Sequence, residues 1–217
     1  MSSNSKPTGP PDWEKRYQAG DTPWITHQPS RELARVLDEY DIPPGRALEL
    51  GCGDGVNAVF LARRGFEVWA VDVSETAIER AREFAGRERV SVDFRTAEVT
   101  ALDGLPTPFD FIFDRGLYHV VRQANLAGLL QSLERVTTGG SLYLTLAGNA
   151  NEATPEDEPG PPRVSAEEIC REFAPLMQLI QLREFRFDAS PEREKPHRPL
   201  AWSALFRRPT RVALPEI

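Results

Sequence analysis

Between residues 47 and 146 the chain alternates short apolar runs with amphipathic stretches of helical period. The runs at 47–50, 68–71, 90–94, 109–113 and 141–146 read as strands, and the stretches at 57–64, 76–85 and 126–136 as helices. Ser74 is a candidate N-cap for the second helix and Gly86 its stop; Gly139-Gly140 ends the third. Strand and helix in alternation predict a parallel sheet flanked by helices. Upstream, Trp13 and Tyr17 are four apart, so one helical face carries both rings. A second amphipathic helix at 30–40 puts Leu33, Val36, Leu37 and Tyr40 on one face, and Pro43-Pro44-Gly45 ends it. Downstream, Ser165 and Glu168 have capping-box spacing, and 177–187 and 200–207 read as two last strands. Residues 1–11 and 209–217 read as tails. That leaves 12–208 as one domain, with 12–40 as an N-terminal helical cap. The polar, proline-rich segment 148–164 follows the fifth strand, so it is a candidate lid at the carboxyl edge of the sheet.

Composition bounds the function classes. A chain of 217 residues, 40% hydrophobic, can bury a full core as one domain. A net charge of −7 argues against a nucleic-acid footprint, which needs clustered Lys and Arg. No apolar run approaches the ~18 residues of a membrane span, and the polar N-terminus does not resemble a secretory signal. Cys52 and Cys170 stand outside any C-x-x-C pair. A disulfide framework or zinc site is therefore not expected, and a reducing cytoplasm is. The expected state is a monomer or weak dimer acting on a small molecule.

The chemistry concentrates at Leu48-Glu49-Leu50-Gly51-Cys52-Gly53-Asp54-Gly55 and at Asp72, which ends the second run. A glycine turn after a strand, with an acid about 20 residues on, is suited to adenosine: glycine lets the backbone turn sharply, and the acid can grip ribose hydroxyls. A dinucleotide fingerprint wants a third glycine where this chain has Val56, which argues against a nicotinamide-dependent oxidoreductase. Glu49 and Asp54 would repel a pyrophosphate and attract a cation. An adenosine carrying a positive centre and an amino group, as in S-adenosylmethionine, fits better. Ligands of open α/β sheets bind outside the carboxyl ends of the strands. Those ends carry Asp72 with Val73, Glu98 with Val99, and Asp114-Arg115-Gly116-Leu117-Tyr118-His119. His119, Asp114 and Tyr118 are the candidate catalytic groups, with His119 or Asp114 able to act as a base. His27 and His197 are expected to be structural or solvated. No metal-ligand cluster is present.

The E-x-G-x-G-x-G pattern after a strand resembles the first motif of class I methyltransferases. The segment Trp13-x-x-x-Tyr17-x-x-Gly20-x-Thr22-x-Trp24, the block Phe109 to Gly116 and Gly160-Pro161-Pro162 narrow the resemblance to thiopurine, thiol and halide methyltransferases. Leu117-Tyr118-His119 is closer to the tellurite-resistance methyltransferases. The resemblance covers roughly residues 12–207. It implies a Rossmann-like, doubly wound, seven-stranded sheet, mostly parallel with a C-terminal antiparallel hairpin. It implies S-adenosylmethionine as cofactor, held by Glu49, Gly51, Gly53, Asp72, Val73, Glu98, Val99, Asp114 and Arg115, with Trp13, Tyr17 and Trp24 folded over it. A thiol or other soft nucleophile is the favoured acceptor, because it is partly ionised without help. An oxygen or nitrogen of a small metabolite is the alternative, and a non-catalytic cofactor-binding protein a further one.

Overall fold

A computed structural model describes residues 11–153, 162–189 and 198–210. Most of the two predicted tails and the middle of the 148–164 loop lie outside the described residues, as does His197. Helices α1 (Trp13–Ala19) and α2 (Arg31–Glu39) come first. The alternating unit follows: β1 (Arg46–Leu50), α3 (Val56–Arg63), β2 (Glu67–Asp72), α4 (Glu75–Glu88), β3 (Asp93–Thr96), β4 (Phe109–Arg115), α5 (Tyr118–Val136) and β5 (Thr137–Gly148). Helix α6 (Ala166–Phe173), β6 (Gln178–Arg186) and β7 (Leu200–Arg207) complete the described elements. The seven strands lie in the order β3-β2-β1-β4-β5-β7-β6. The first five pair in parallel, and β7 runs antiparallel to both β5 and β6.

The strand runs are continuously apolar because both sheet faces are covered. Side chains alternate between two cores. Ala47, Phe111, Phe113, Leu144 and Leu205 pack with α2, α3 and α4 on one face. Leu48, Leu50, Ile112, Tyr143 and Phe206 pack with α5 and α6 on the other. The same two-residue period assigns the polar residues at the strand ends. Glu49 and Arg115 fall on the α2/α3/α4 face, whereas Asp114 falls on the α5/α6 face, where it bonds Tyr143.

Several boundaries differ from expectation for local reasons. Gly86 does not stop α4; the helix runs on to Glu88, and Arg89 takes the left-handed cap at φ 57°. Helix α5 starts at Tyr118 rather than near residue 126, with a break at Asn125. The Asn125 side chain accepts from the Gly128 N–H at 2.9 Å, so it caps the second segment, the part legible in sequence. Gly139-Gly140 does not end α5. That helix stops at Val136, and the glycines belong to the start of β5. The Ser165/Glu168 capping box is present as expected, with both reciprocal bonds made.

Candidate functional site

The carboxyl ends of β1 and β2 are stitched together by backbone and one carboxylate. The Cys52 N–H donates to the Val71 carbonyl at 2.9 Å. Asp72 accepts from the Gly53 N–H at 2.9 Å and from the Ser74 N–H at 3.0 Å, one on each oxygen. Each oxygen keeps a lone pair for a ligand hydroxyl. Gly51 and Gly53 have positive φ, 66° and 55°. A Cβ on Gly51 would meet the Leu117 side chain at 2.6 Å, and one on Gly53 would meet the Tyr17 hydroxyl at 2.7 Å. The glycines therefore serve the fit of the protein onto its own turn as well as the approach of a ligand.

Glu49, Asp54 and Asp72 surround this turn. Burial pushes the carboxyl of each upward, and for Glu49 well above the ordinary range. Glu49 is 1% exposed. Its Oε1 accepts from Asn57 Nδ2 at 3.2 Å, while its buried Oε2 has no partner. A buried carboxylate oxygen left unmatched among further acids awaits a donor, and a cationic one answers the charge as well. Val73, beside Asp72, is 47% exposed, one of two large hydrophobic residues left so among the described residues. An ammonium-bearing, sulfonium-bearing adenosine fits this donor-poor, acid-rich turn with an uncovered apolar shoulder. Glu49, Asp72, Gly51, Gly53 and Val73 are the residues that would hold it. Glu98 is exposed and accepts from the Thr100 N–H and hydroxyl, both at 3.3 Å, next to buried Val99. Sequence alone did not single out Asn57. It accepts from the Ser30 N–H at 2.9 Å while donating to Glu49, which joins the start of α2 to the turn. Its place in the first turn of α3, facing β1, was the available signal.

The three N-terminal aromatics Trp13, Tyr17 and Trp24 form one cluster. Trp24 Nε1 donates to the Tyr17 hydroxyl at 3.1 Å, and the Trp24 ring meets Trp13 and Tyr17 edge-on, at 5.3 and 5.8 Å between centroids. Arg16 lies over Trp24 at 4.4 Å, so that ring face already holds a cation. Arg115 donates to the Trp24 carbonyl at 3.1 Å and lies over the Phe187 ring at 4.9 Å. It thus joins the N-terminal cover to the segment after β6. Phe187 had no sequence signal, because only the antiparallel hairpin brings it to this edge.

The three candidate catalytic groups are not brought together as a base set. Asp114 is fully buried; its Oδ1 accepts from the Leu117 and Tyr118 N–H groups, both at 3.1 Å, and its Oδ2 from the Tyr143 hydroxyl at 2.6 Å. It caps α5 and joins that helix to β5, a structural role beside the base and cofactor-ligand roles expected of it. Tyr118 is fully buried, and its hydroxyl donates to Glu172 at 2.7 Å, a carboxylate that Arg122 also binds. Its ring is tilted against Phe173 at 4.9 Å between centroids. His119 is buried, and its Nδ1 accepts from the Gly148 N–H at 2.7 Å. That bond puts the proton of the neutral ring on Nε2. Burial, aided by the Arg115 charge, pushes its pKa down to about 3. His119 can donate from Nε2 but has no free lone pair to accept a proton. His27 Nδ1 lies 3.9 Å from Asp54 Oδ2.

Comparison with known proteins shows what the chain is similar to. A family model described as a methyltransferase domain matches residues 47–140. A 2-heptyl-1-hydroxyquinolin-4(1H)-one methyltransferase of Mycobacteroides abscessus is 31% identical over 148 residues, 68% of this chain and 64% of that protein. A probable thiol methyltransferase 2 of Arabidopsis thaliana is 31% identical over 172 residues, 76% of this chain and 72% of that one. A structure described under the conversion of a disulfide bond into a thioacetal group during echinomycin biosynthesis superposes with a TM-score of 0.78. It is 24% identical and covers 91% of each chain.

Proposed function

The chain belongs to the class I S-adenosylmethionine-dependent methyltransferases, and on that premise we propose that it methylates a small molecule at a thiol or another readily ionised nucleophile. When bound, the cofactor supplies an electrophilic methyl on a sulfonium. Asp54 and Asp72 border the turn with carboxylates that favour that cation, and Glu49 offers it an unpaired buried oxygen. Tyr17, Trp13 and Trp24 cover the turn and exclude water. Positioning of this kind can supply on the order of 7–11 kcal/mol of a bimolecular barrier.

The observation that carries the acceptor class is the occupied lone pair of His119. Asp114 is held by three donors from α5 and β5, and the Tyr118 hydroxyl donates to Glu172, so neither is set beside His119 as a ready base for an alcohol or a neutral amine. A thiol with a pKa of ~8.5 is partly ionised at neutral pH and needs desolvation more than a base. The Arabidopsis relative, named as a probable thiol methyltransferase, supports this reading. The mycobacterial relative, named for a hydroxyquinolone, favours a second one, in which the acceptor is an oxygen acidic enough to ionise unaided.

The test is methyl transfer from labelled S-adenosylmethionine to hydrosulfide, alkyl and aryl thiols, halide, phenols, amines and a 1-hydroxyquinolone, with Asp72→Ala as control. Transfer to thiols that persists in His119→Ala is expected. Transfer confined to phenols or amines, and lost in His119→Ala, would overturn the proposal.

A further inference from the structure

We propose that Glu14 is a positioning residue for the cofactor: it fastens α1 over the glycine turn and so sets how slowly the bound adenosyl ligand leaves. The inference rests on the cofactor site described above and is independent of the acceptor.

Helix α1 has 7 residues, too few to hold itself in place in water, so its position depends on its attachments. One attachment is Glu14. Its Oε2 accepts from the Ser74 hydroxyl at 2.6 Å and the Thr76 N–H at 3.2 Å; its Oε1 accepts from the Thr76 hydroxyl at 2.6 Å and Gln18 at 2.8 Å. The carboxylate thus sits on the N-terminus of α4, where the helix dipole favours an anion. Helix α4 does not need it as a cap, because Ser74 Oγ already accepts from the Ala77 N–H at 3.1 Å. The bonds made by Glu14 therefore serve attachment. The donors, Ser74 foremost, hold its carboxyl down at about 2, so the fastening stays ionised around neutrality.

The second attachment is at the far end of the same helix, where Arg80 of α4 donates to the Tyr17 carbonyl at 2.8 Å. Tyr17 is therefore itself held at the second attachment. It packs with Ala77, and its hydroxyl rests against Gly53. Ser74 joins the fastening to the site, since its N–H donates to Asp72 while its hydroxyl donates to Glu14. Releasing Glu14 frees the leading end of the helix that seats Tyr17 on the turn.

The experiment measures dissociation of S-adenosylhomocysteine from the full chain by stopped flow, with no acceptor present, for wild type, Glu14→Ala, Glu14→Gln, Thr76→Val, Tyr17→Ala and the Glu14→Ala/Tyr17→Ala pair. Binding to the wild type checks the cofactor site itself. Glu14→Ala is expected to leave the ligand-free melting temperature within ~3 °C and to speed dissociation about tenfold, with Glu14→Gln between it and wild type. The double variant should release ligand no faster than Tyr17→Ala alone, because both residues act through one cover. Wild-type dissociation from Glu14→Ala, or effects that multiply in the pair, would overturn the proposal. Should Glu14→Ala fail to fold, Thr76→Val, which removes one donor hydroxyl, must still speed release about threefold; an unchanged rate there would overturn it equally.

Discussion

Glu49 and Asp114 are buried carboxylates at the ends of neighbouring strands, a single register step apart, yet they face opposite sides of the sheet. Asp114 accepts three hydrogen bonds from its own chain and closes the joint between β4, α5 and β5. Glu49 accepts one from Asn57 and keeps a buried oxygen unmatched. Burial raises both carboxyls, so the direction of the shift does not separate them. Partners do. A buried acid satisfied by the protein stabilises the fold, whereas one left short costs stability that a ligand can return.

The largest effect should come from Asp114→Ala. It strands two N–H groups and the Tyr143 hydroxyl, at a cost of about 3–5 kcal/mol, or roughly 10 °C in melting temperature. A ligand-free melt that hardly moves would break the contrast. Glu49→Gln should behave in the opposite way: the ligand-free protein melts at or above the wild-type temperature, while S-adenosylhomocysteine binds about 10–100-fold more weakly by calorimetry. Destabilisation like that of Asp114→Ala would show that Glu49 is also structural.

His119 sharpens the comparison through pH. Its folded pKa, about 3, is below the ordinary histidine value, so below that ordinary value the unfolded chain binds the extra proton and the folded chain does not. Its contribution to stability is complete above about 6.5 and is lost as pH falls toward about 3. Melting temperature should therefore decline as the pH is lowered below about 6.5, and His119→Gln should flatten that decline. The pH profile of kcat/KM should show no limb from His119 around neutrality. The smallest effect is expected at Ser165→Ala, which removes one half of the α6 capping box. It should cost about 1 kcal/mol, with a melting shift of roughly 3 °C and no change in cofactor affinity.

Much of the cofactor side was legible in the chain. The strand before Gly51 and the acid at Asp72 are joined by one short β-α-β unit, so their spacing carries their geometry. The aromatic segment from Trp13 to Trp24 was legible by its resemblance. The acceptor side was not. The segment from Asp114 to His119 read as a strand end beside the ligand, because the first turns of α5 contain no apolar repeat long enough to show; yet that helix buries Tyr118 and His119. The two-residue alternation of β4 already placed Asp114 opposite Arg115, a signal present in sequence once both faces are known to be covered.

The alternation of strands and helices, the glycine turn with its acid, and the cluster of acids around that turn were all readable in the chain. These are set by neighbours a few residues apart, whose periodicity and spacing survive without any knowledge of the fold. Only the tertiary structure decided which acids are satisfied, which imidazole nitrogen is occupied and which helix is fastened over the turn. The partners that settle those questions are Tyr143 for Asp114, Gly148 for His119, Asn57 for Glu49 and Ser74 for Glu14. Each belongs to a different element from the group it serves, and a hydrogen bond forms only where the packed sheet and helices bring donor and acceptor within about 3 Å.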